Sequence, residues 1–183
     1  MKVSERIKSI VKRISGEVPI SVLVARGMKV GNDFNRQQGS YIDPTHCFLI
    51  EIGNNVTFSI RVTVLAHDAS TKKSLGYTKI GKVIIGDNVF VGANATILPN
   101  VTVGDNSVIG ANSVVSKNIP PNCVVAGNPA HVICNLEEFK KKNSDLMEQT
   151  RVFGKEYRFS KDLSEQKKEE IKKATKNGIA FID

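Results

Sequence analysis

The stretch Val83–Lys117 repeats a pattern every six residues, and this period limits the folds open to the chain. One position of each unit is aliphatic, at Ile85, Val91, Ile97, Val103, Ile109 and Val115. The position two residues earlier is small or aliphatic, and the position three residues later is asparagine in five consecutive units, at Asn88, Asn94, Asn100, Asn106 and Asn112. Such a period is interpreted before any local propensity.

A period of six matches neither a helix nor an uninterrupted strand, but it fits a short strand followed by a corner. Val89 and Val91 are two residues apart and so point to the same side of a strand. Gly92 and Asn94 then supply residues that tolerate a tight corner with positive φ. Coils stacked about 4.8 Å apart would bury one aliphatic column. The pattern predicts a mainly β protein, a parallel β-solenoid of about four coils.

The unit Ile85-Gly-Asp-Asn-Val-Phe and the closing segment Ile119–Ala130 resemble the hexapeptide-repeat acyltransferases. The resemblance covers roughly residues 28–135 and is nearest to the galactoside, maltose and polysaccharide O-acetyltransferases. It implies a left-handed parallel β-helix with three strands per coil and a homotrimer. The repeat predicts the fold more firmly than the reaction, because some hexapeptide proteins are carbonic anhydrases, nucleotidyltransferase domains or scaffolds.

The terminal segments are predicted to be short additions to this domain. Residues 1–27 are interpreted as an N-terminal helix and linker, with Ile20–Ala25 a short strand or linker. The basic helix either contacts a membrane or packs on the solenoid. Residues 136–183 form a helical tail, with a capping helix beginning at Leu136 and a second helix at Ser164–Asn177 capped by Ser164. The apolar end Ile179–Ile182 is expected to dock onto the trimer.

Composition narrows the class of partner. The net charge of +8 favours anionic partners, such as coenzyme phosphates, a glycan or a membrane surface. No nucleic-acid-binding motif is present, which argues against a nucleic-acid partner. The three scattered cysteines, Cys47, Cys123 and Cys134, indicate reduced thiols. Together with the absence of an apolar signal segment near the start, they predict a cytoplasmic protein.

The repeat is interrupted after Val64 by a polar loop, residues 68–82. In the resembled acetyltransferases a loop at a similar place covers an active site between two subunits, and their catalytic histidine matches His67. An imidazole is suited to take the proton of an attacking hydroxyl near neutral pH. The resemblance therefore implies that His67 is the general base of a direct acyl transfer. The neighbouring carboxylate of Asp68 is a candidate to orient the His67 ring, although adjacent side chains on a strand point apart.

The three histidines bear on the carbonic anhydrase alternative. His46 either has a structural role or lines the acceptor side, and His131 matches a basic position near the coenzyme. A zinc site needs three converging protein ligands, and the spacing of His46, His67 and His131 does not match that of the carbonic anhydrase relatives. No metal is expected.

The resemblance also implies that acetyl-CoA binds in a groove between coils. The positions that usually touch it are Ala93, Ala111, Ser116, Lys117 and His131. Ala93 stands where galactoside acetyltransferases have serine, and Cys134 where they have arginine, which puts one phosphate contact in doubt.

Relatives place an asparagine and a carboxylate from an early coil against the sugar. The candidates for these acceptor contacts are Asn35, Arg36, Gln38 and Asp43. The sequence thus predicts an acetyl-CoA-dependent O-acetyltransferase acting on a sugar or a surface-polysaccharide precursor. The alternatives are N-acetylation of an amino sugar, O-acetylation of serine, and a non-catalytic scaffold.

Overall fold

The six-residue repeat folds into a parallel β-helix in the computed structural model, which describes residues 17–158 and 163–183. Each coil gives one short strand to each of three sheets. The first sheet holds β1 (Lys29–Val30), β4 (Ile50–Ile52), β9 (Val83–Ile85) and β12 (Val101–Val103). The second holds β2 (Asn35–Arg36), β5 (Thr57–Phe58), β10 (Phe90–Val91), β13 (Val108–Ile109) and β15 (Cys123–Ala126). The third holds β3 (Tyr41–Ile42), β6 (Thr63–Val64), β11 (Thr96–Ile97) and β14 (Val114–Val115).

These strands make four complete coils, as the sequence predicts. Strand β16 (His131–Asn135) runs antiparallel to β15 and ends the ladder of the second sheet. The aliphatic positions of the repeat fill the interior, and each of the six from Ile85 to Val115 is at most 1% exposed. The residues two positions earlier, including Ser107 and Ser113, are equally buried.

The corners use asparagine and glycine for different purposes. The five repeat asparagines have positive φ, between 55° and 64°. Gly92 does not have positive φ, contrary to the expectation from sequence. A Cβ at Gly92 would lie 2.5 Å from the Ala111 backbone nitrogen of the next coil. Glycine is therefore needed because successive coils approach closely at this position.

One corner carries a ladder of asparagine side chains along the solenoid. The Asn55 amide donates to Asn88 at 2.9 Å, Asn88 donates to Asn106 at 3.1 Å, and Asn106 donates to Asn122 at 3.1 Å. Each link joins one coil to the next. The ladder thus provides hydrogen-bond partners for asparagine side chains whose positive φ places them one above another.

Helix α1 (Ile20–Ala25) replaces the strand or linker predicted for this segment. The Pro19 carbonyl accepts hydrogen bonds from the backbone nitrogens of Val22 and Leu23, which starts the helical turn. Leu23 is completely buried in the solenoid core. The helix is short because Gly27, with φ of +101°, follows it. The helix predicted within residues 1–15 lies outside the described residues.

An arm leaves the solenoid between β6 and β9. Strand β7 (His67–Asp68) pairs antiparallel with β8 (Lys79–Ile80), and the short helix α2 (Lys72–Leu75) lies between them. Leu75, Tyr77 and Ile80 are apolar side chains of the arm that are more than half exposed. The predicted loop thus has its own secondary structure and presents apolar groups outward.

The chain divides into two compact units, the second of which is Glu137–Asp183. Helix α3 (Leu136–Gln149) is followed by β17 (Val152–Phe153), α4 (Glu165–Ala174) and β18 (Phe181–Ile182). Ser164 caps α4 as predicted, because its Oγ accepts from the Lys167 backbone nitrogen at 3.4 Å. The apolar end of the chain pairs with β17 of the same chain. Its docking onto a trimer stays a prediction.

All three cysteines are free thiols, with Cys47 and Cys123 buried. Within residues 17–158 and 163–183, the helices are too short or too polar to cross a membrane.

Candidate active site

The register between β3 and β6 brings Asp43 beneath His67. Ile42 pairs with Val64, and the Asp43 backbone nitrogen donates to the Val64 carbonyl at 2.9 Å. The Ala66 backbone nitrogen donates to Asp43 Oδ2 at 3.2 Å. His67, the next residue along the chain, hydrogen-bonds the same oxygen through Nδ1. A carboxylate and an imidazole from neighbouring coils therefore form a dyad at the base of the arm.

The Asp43 carboxylate is fully buried and held by a local turn. Its Oδ1 accepts from the Thr45 backbone nitrogen at 3.0 Å, from Thr45 Oγ1 at 2.8 Å and from the His46 backbone nitrogen at 3.2 Å. Burial raises the pKa of Asp43, but hydrogen bonds from His67, Thr45 and His46 outweigh it and lower the pKa to about 2. The group is an anion at neutral pH.

An ionised Asp43 fixes the tautomer of the neutral His67 ring. Because a carboxylate only accepts hydrogen bonds, Nδ1 carries the ring proton and donates it to Oδ2. The lone pair of Nε2 is then available as a base. The His67 side chain is 30% exposed, so an incoming hydroxyl group has access to the ring.

A second imidazole stands beside the dyad. The His46 and His67 ring centroids are 4.9 Å apart, and His46 Nδ1 lies 3.8 Å from Asp43 Oδ2. His46 Nδ1 also lies 2.9 Å from Thr45 Oγ1. The segment 44–49, which interrupts the repeat, therefore supplies both the turn that holds Asp43 and a second ring next to His67.

Two of the four residues predicted to contact an acceptor are used inside the chain. Asp43 is 0% exposed behind His67, so it is not free to contact an acceptor and instead orients the His67 ring. Arg36 lies 3.9 Å from the Glu17 carboxylate and donates to the Val18 carbonyl at 2.9 Å, with side chains of Arg36 and Glu17 only 6% and 5% exposed. A buried guanidinium needs such partners, so we correct its role to a structural one.

The other two acceptor candidates are exposed. Asn35 lies on β2, where its side-chain oxygen accepts from Gln37 Nε2 at 3.0 Å, and Gln38 follows the strand. Their contact with an acceptor stays a prediction.

Asp68 does not orient the His67 ring. Its carboxylate lies 2.6 Å from Lys79 Nζ and accepts from the Ser70 backbone nitrogen at 2.8 Å. Adjacent residues on β7 point to opposite sides, which directs Asp68 into the arm and His67 toward Asp43.

Four of the five positions expected to contact the coenzyme lie just before or just after strands of the third sheet. Ala93 and Ala111 stack in successive coils before its strands, where the Asn112 nitrogen donates to the Ala93 carbonyl at 2.8 Å. Ser116 and Lys117 directly follow β14, just as the arm follows β6 of the same sheet two coils earlier. His131 lies on β16 of the second sheet and is exposed, and the residue before it, Ala130, donates its backbone nitrogen to the Val114 carbonyl of β14 at 2.9 Å. Its contact with the coenzyme stays a prediction.

Sequence reasoning missed Thr45 and the Ala66 backbone nitrogen as groups that hold the carboxylate. The signal available was Asp43-Pro-Thr45, since an aspartate commonly accepts from the backbone two residues on. The Ala66 contact depends on stacking between coils and leaves no local signal.

Comparison with known proteins agrees with this geometry. The family described as bacterial transferase hexapeptide (six repeats) matches residues 82–117. The chain is 40% identical over 122 residues to Protein CapG of Staphylococcus aureus, which covers 63% of this chain and 70% of that protein. The chain belongs to the hexapeptide-repeat acyltransferases.

Two further proteins match over shorter spans. The putative acetyltransferase YvoF of Bacillus subtilis is 40% identical over 51% of this chain and 52% of its own length. A maltose O-acetyltransferase from Clostridium difficile 630 is 41% identical, with a TM-score of 0.53 over 60% of this chain and 59% of that chain. The fold is accordingly the left-handed parallel β-helix of this family. The prediction that the chain is an acyltransferase is confirmed at the level of the family.

Proposed function

We propose that the protein transfers an acetyl group from acetyl-CoA to a hydroxyl group of a sugar or surface-polysaccharide precursor. The observation that carries this proposal is the His67–Asp43 dyad, which leaves one imidazole lone pair accessible at the base of the arm. The maltose O-acetyltransferase among the similar structures supports a sugar acceptor.

In the proposed reaction, His67 Nε2 removes the proton from the acceptor hydroxyl while its oxygen attacks the acetyl carbonyl of the thioester. The ring becomes an imidazolium, which the Asp43 carboxylate stabilises through Nδ1. A backbone N–H stabilises the oxyanion of the tetrahedral intermediate. The intermediate then collapses, the C–S bond breaks, and the imidazolium returns its proton to the departing thiolate. The acetyl group passes directly to the acceptor.

The coenzyme is proposed to lie along the third sheet, against Ala93 and Ala111, with Ser116 and Lys117 toward its other end and His131 near a phosphate. The exposed ammonium of Lys117 suits a phosphate as a point charge. Asn35 and Gln38 are the exposed residues proposed to face the acceptor.

A homotrimer is part of this proposal. The exposed Leu75, Tyr77 and Ile80 of the arm support it, because apolar side chains grouped on one projection are typical of contact surfaces. The second subunit would close the coenzyme groove.

The test is acetyl-CoA-dependent thiol release by the wild type and by His67→Ala, on a panel of sugars, amino sugars and serine. We expect a sugar-dependent rate that falls by about 10²- to 10⁴-fold in the variant, as loss of a general base predicts. The variant should still bind coenzyme in a direct binding measurement. Thiol release with serine, or with amino sugars alone, would show that the acceptor is not the proposed one. An unchanged rate in the variant would exclude His67 as the base.

A further inference from the structure

The groups around the dyad form a set of donor atoms that goes beyond what acyl transfer requires. His46, His67 and Asp43 each offer one ligand atom, and these three atoms lie within 4.8 Å of one another. Among the described residues, this is the one group of three or more histidine, cysteine or acidic side chains close enough to share a metal ion. The set consists of two imidazole nitrogens and one carboxylate oxygen, with no cysteine sulfur.

We propose that this cluster binds a divalent transition-metal ion, principally zinc, and that the bound ion blocks His67 as a base. Two nitrogens and one carboxylate oxygen form a donor set found on zinc in proteins, with a fourth position left for water. Ligand atoms on a tetrahedral zinc ion lie about 3.3 Å apart, given bond lengths of about 2.0–2.1 Å. His46 Nδ1 and Asp43 Oδ2 are 3.8 Å apart, so rotation of the side chains brings this pair to the zinc distance, while His67 and Asp43 exchange their hydrogen bond for contacts with the ion.

The site is organised before an ion arrives. The Asp43 carboxylate is held by hydrogen bonds from Thr45, the His46 backbone and the Ala66 backbone, so it need not move far. Both imidazole rings are nearly one-third exposed, which lets a hydrated ion reach them. Burial of the carboxylate and access to the rings distinguish this cluster from exposed acidic groups on the surface.

Occupancy has a chemical consequence, which rests on the function proposed above. A metal bound through His67 Nδ1 displaces the proton from that atom, and the neutral ring then carries its proton on Nε2. A metal bound through Nε2 occupies that lone pair directly. In either case no lone pair remains to accept the proton of the acceptor hydroxyl. The ion is therefore a reversible inhibitor and takes no part in the transfer.

The arrangement also explains why the sequence did not reveal the site. The three histidines do not form one ligand set, since His131 lies on β16 and is absent from the cluster. Its place is taken by Asp43, which lies three residues from His46 in the sequence and reaches His67 through stacking of two coils.

Zinc binding to the full chain tests the proposal without reference to activity. The probe is Zn²⁺ in competition with a chromophoric chelator, and Co²⁺ reports the ligand geometry through its visible absorption. We expect one ion per chain, a cobalt spectrum typical of four-coordinate sites, and affinity at least about tenfold weaker in His46→Ala and in Asp43→Asn. His131→Ala is the matched control and should bind as the wild type does. Circular dichroism establishes that each variant is folded.

Failure of wild-type chain to bind Zn²⁺, or equal affinity in wild type and folded His46→Ala, would overturn the site. Zinc should also suppress acetyl transfer in proportion to occupancy, and a chelator should restore it. Full activity of the zinc-loaded protein would overturn the inhibitory role. A protein that binds zinc as expected but transfers no acetyl group would leave the site standing while refuting the proposed function.

Discussion

Asp43 and His67 are 24 residues apart in sequence, yet their side chains share a hydrogen bond because they belong to neighbouring coils. The link between them is the pairing of Ile42 with Val64, which fixes the register of β3 on β6. The dyad therefore forms because successive coils of the solenoid stack in this register. His67, which carries the imidazole, is also the residue at which the arm begins.

Replacement of Asp43 by asparagine should disable the base while preserving shape. An amide in this position offers no negative charge, so the imidazolium loses its partner and the productive tautomer loses its preference. We expect kcat to fall by about 10²-fold or more, with coenzyme affinity retained. Steady-state kinetics and coenzyme binding measure the two effects. Asp68→Asn is the control, since that carboxylate contacts Lys79 and Ser70, and an equal loss in both variants would contradict the assignment.

Arg36→Met should destabilise the fold without weakening acceptor binding. Removing the guanidinium leaves the buried Glu17 carboxylate with the Gly39 backbone nitrogen but without its cationic partner, which reduces the free energy of unfolding by about 3–5 kcal/mol. Urea unfolding measures this change. Lys29→Met, which removes an exposed pair with Glu51, should cost less than about 1 kcal/mol. A raised KM for the acceptor with unchanged stability would restore Arg36 to the acceptor site.

Two substitutions at Asn106 should separate backbone strain from the side-chain ladder. Asn106→Gly removes the hydrogen bonds to Asn88 and Asn122 but tolerates the φ of +55°. Asn106→Ala removes the same bonds and also strains the backbone, so it should be less stable than the glycine variant by about 1 kcal/mol. Thermal unfolding of both variants gives the difference. Equal stability would mean that the left-handed conformation does not govern the choice of asparagine.

Gly92→Ala should disturb the stacking of two coils. The added methyl group would lie 2.5 Å from the Ala111 nitrogen, so the coils must move apart, at a cost of about 1–3 kcal/mol. Gly178→Ala is the matched control because a Cβ there meets nothing within 4 Å, and its effect should stay within about 0.5 kcal/mol. Denaturant midpoints of the two variants test this difference, and a neutral Gly92→Ala would show that the corner is looser than its contacts indicate.

The fold was predictable because each coil repeats the same local chemistry. Val91, Ile97 and Ile109 occupy the interior as the six-residue period requires, and asparagine takes the positive φ that the corners need. The sequence did not predict the role of Gly92, since the close approach between coils involves residues 109–111 of the next coil and has no local signature.

The site was predictable only in part. His67 is predicted as the base from the family resemblance and from its place between the repeat and the arm, because a break in a regular pattern is visible in sequence, and this role stays a prediction. The roles of Asp43 and Arg36 depend on contacts between segments that are distant in sequence. Asp43 is buried against His67 of the next coil, and Arg36 is buried beside Glu17. Helix α1 was missed for a similar reason: Leu23 is buried at a position where the local sequence favours a strand as readily as a helix.

The position of Asp43 in the first coil places the proposed dyad at one end of the solenoid. A stacked repeat is held by its neighbours, and the first coil has a neighbouring coil on one side only, with Leu23 of α1 buried against it. Fraying of that coil would separate Asp43 from His67 while the later coils stay folded. Enzymatic activity should therefore report on the integrity of one end of the molecule and vanish at milder denaturant than the β-sheet signal of the whole.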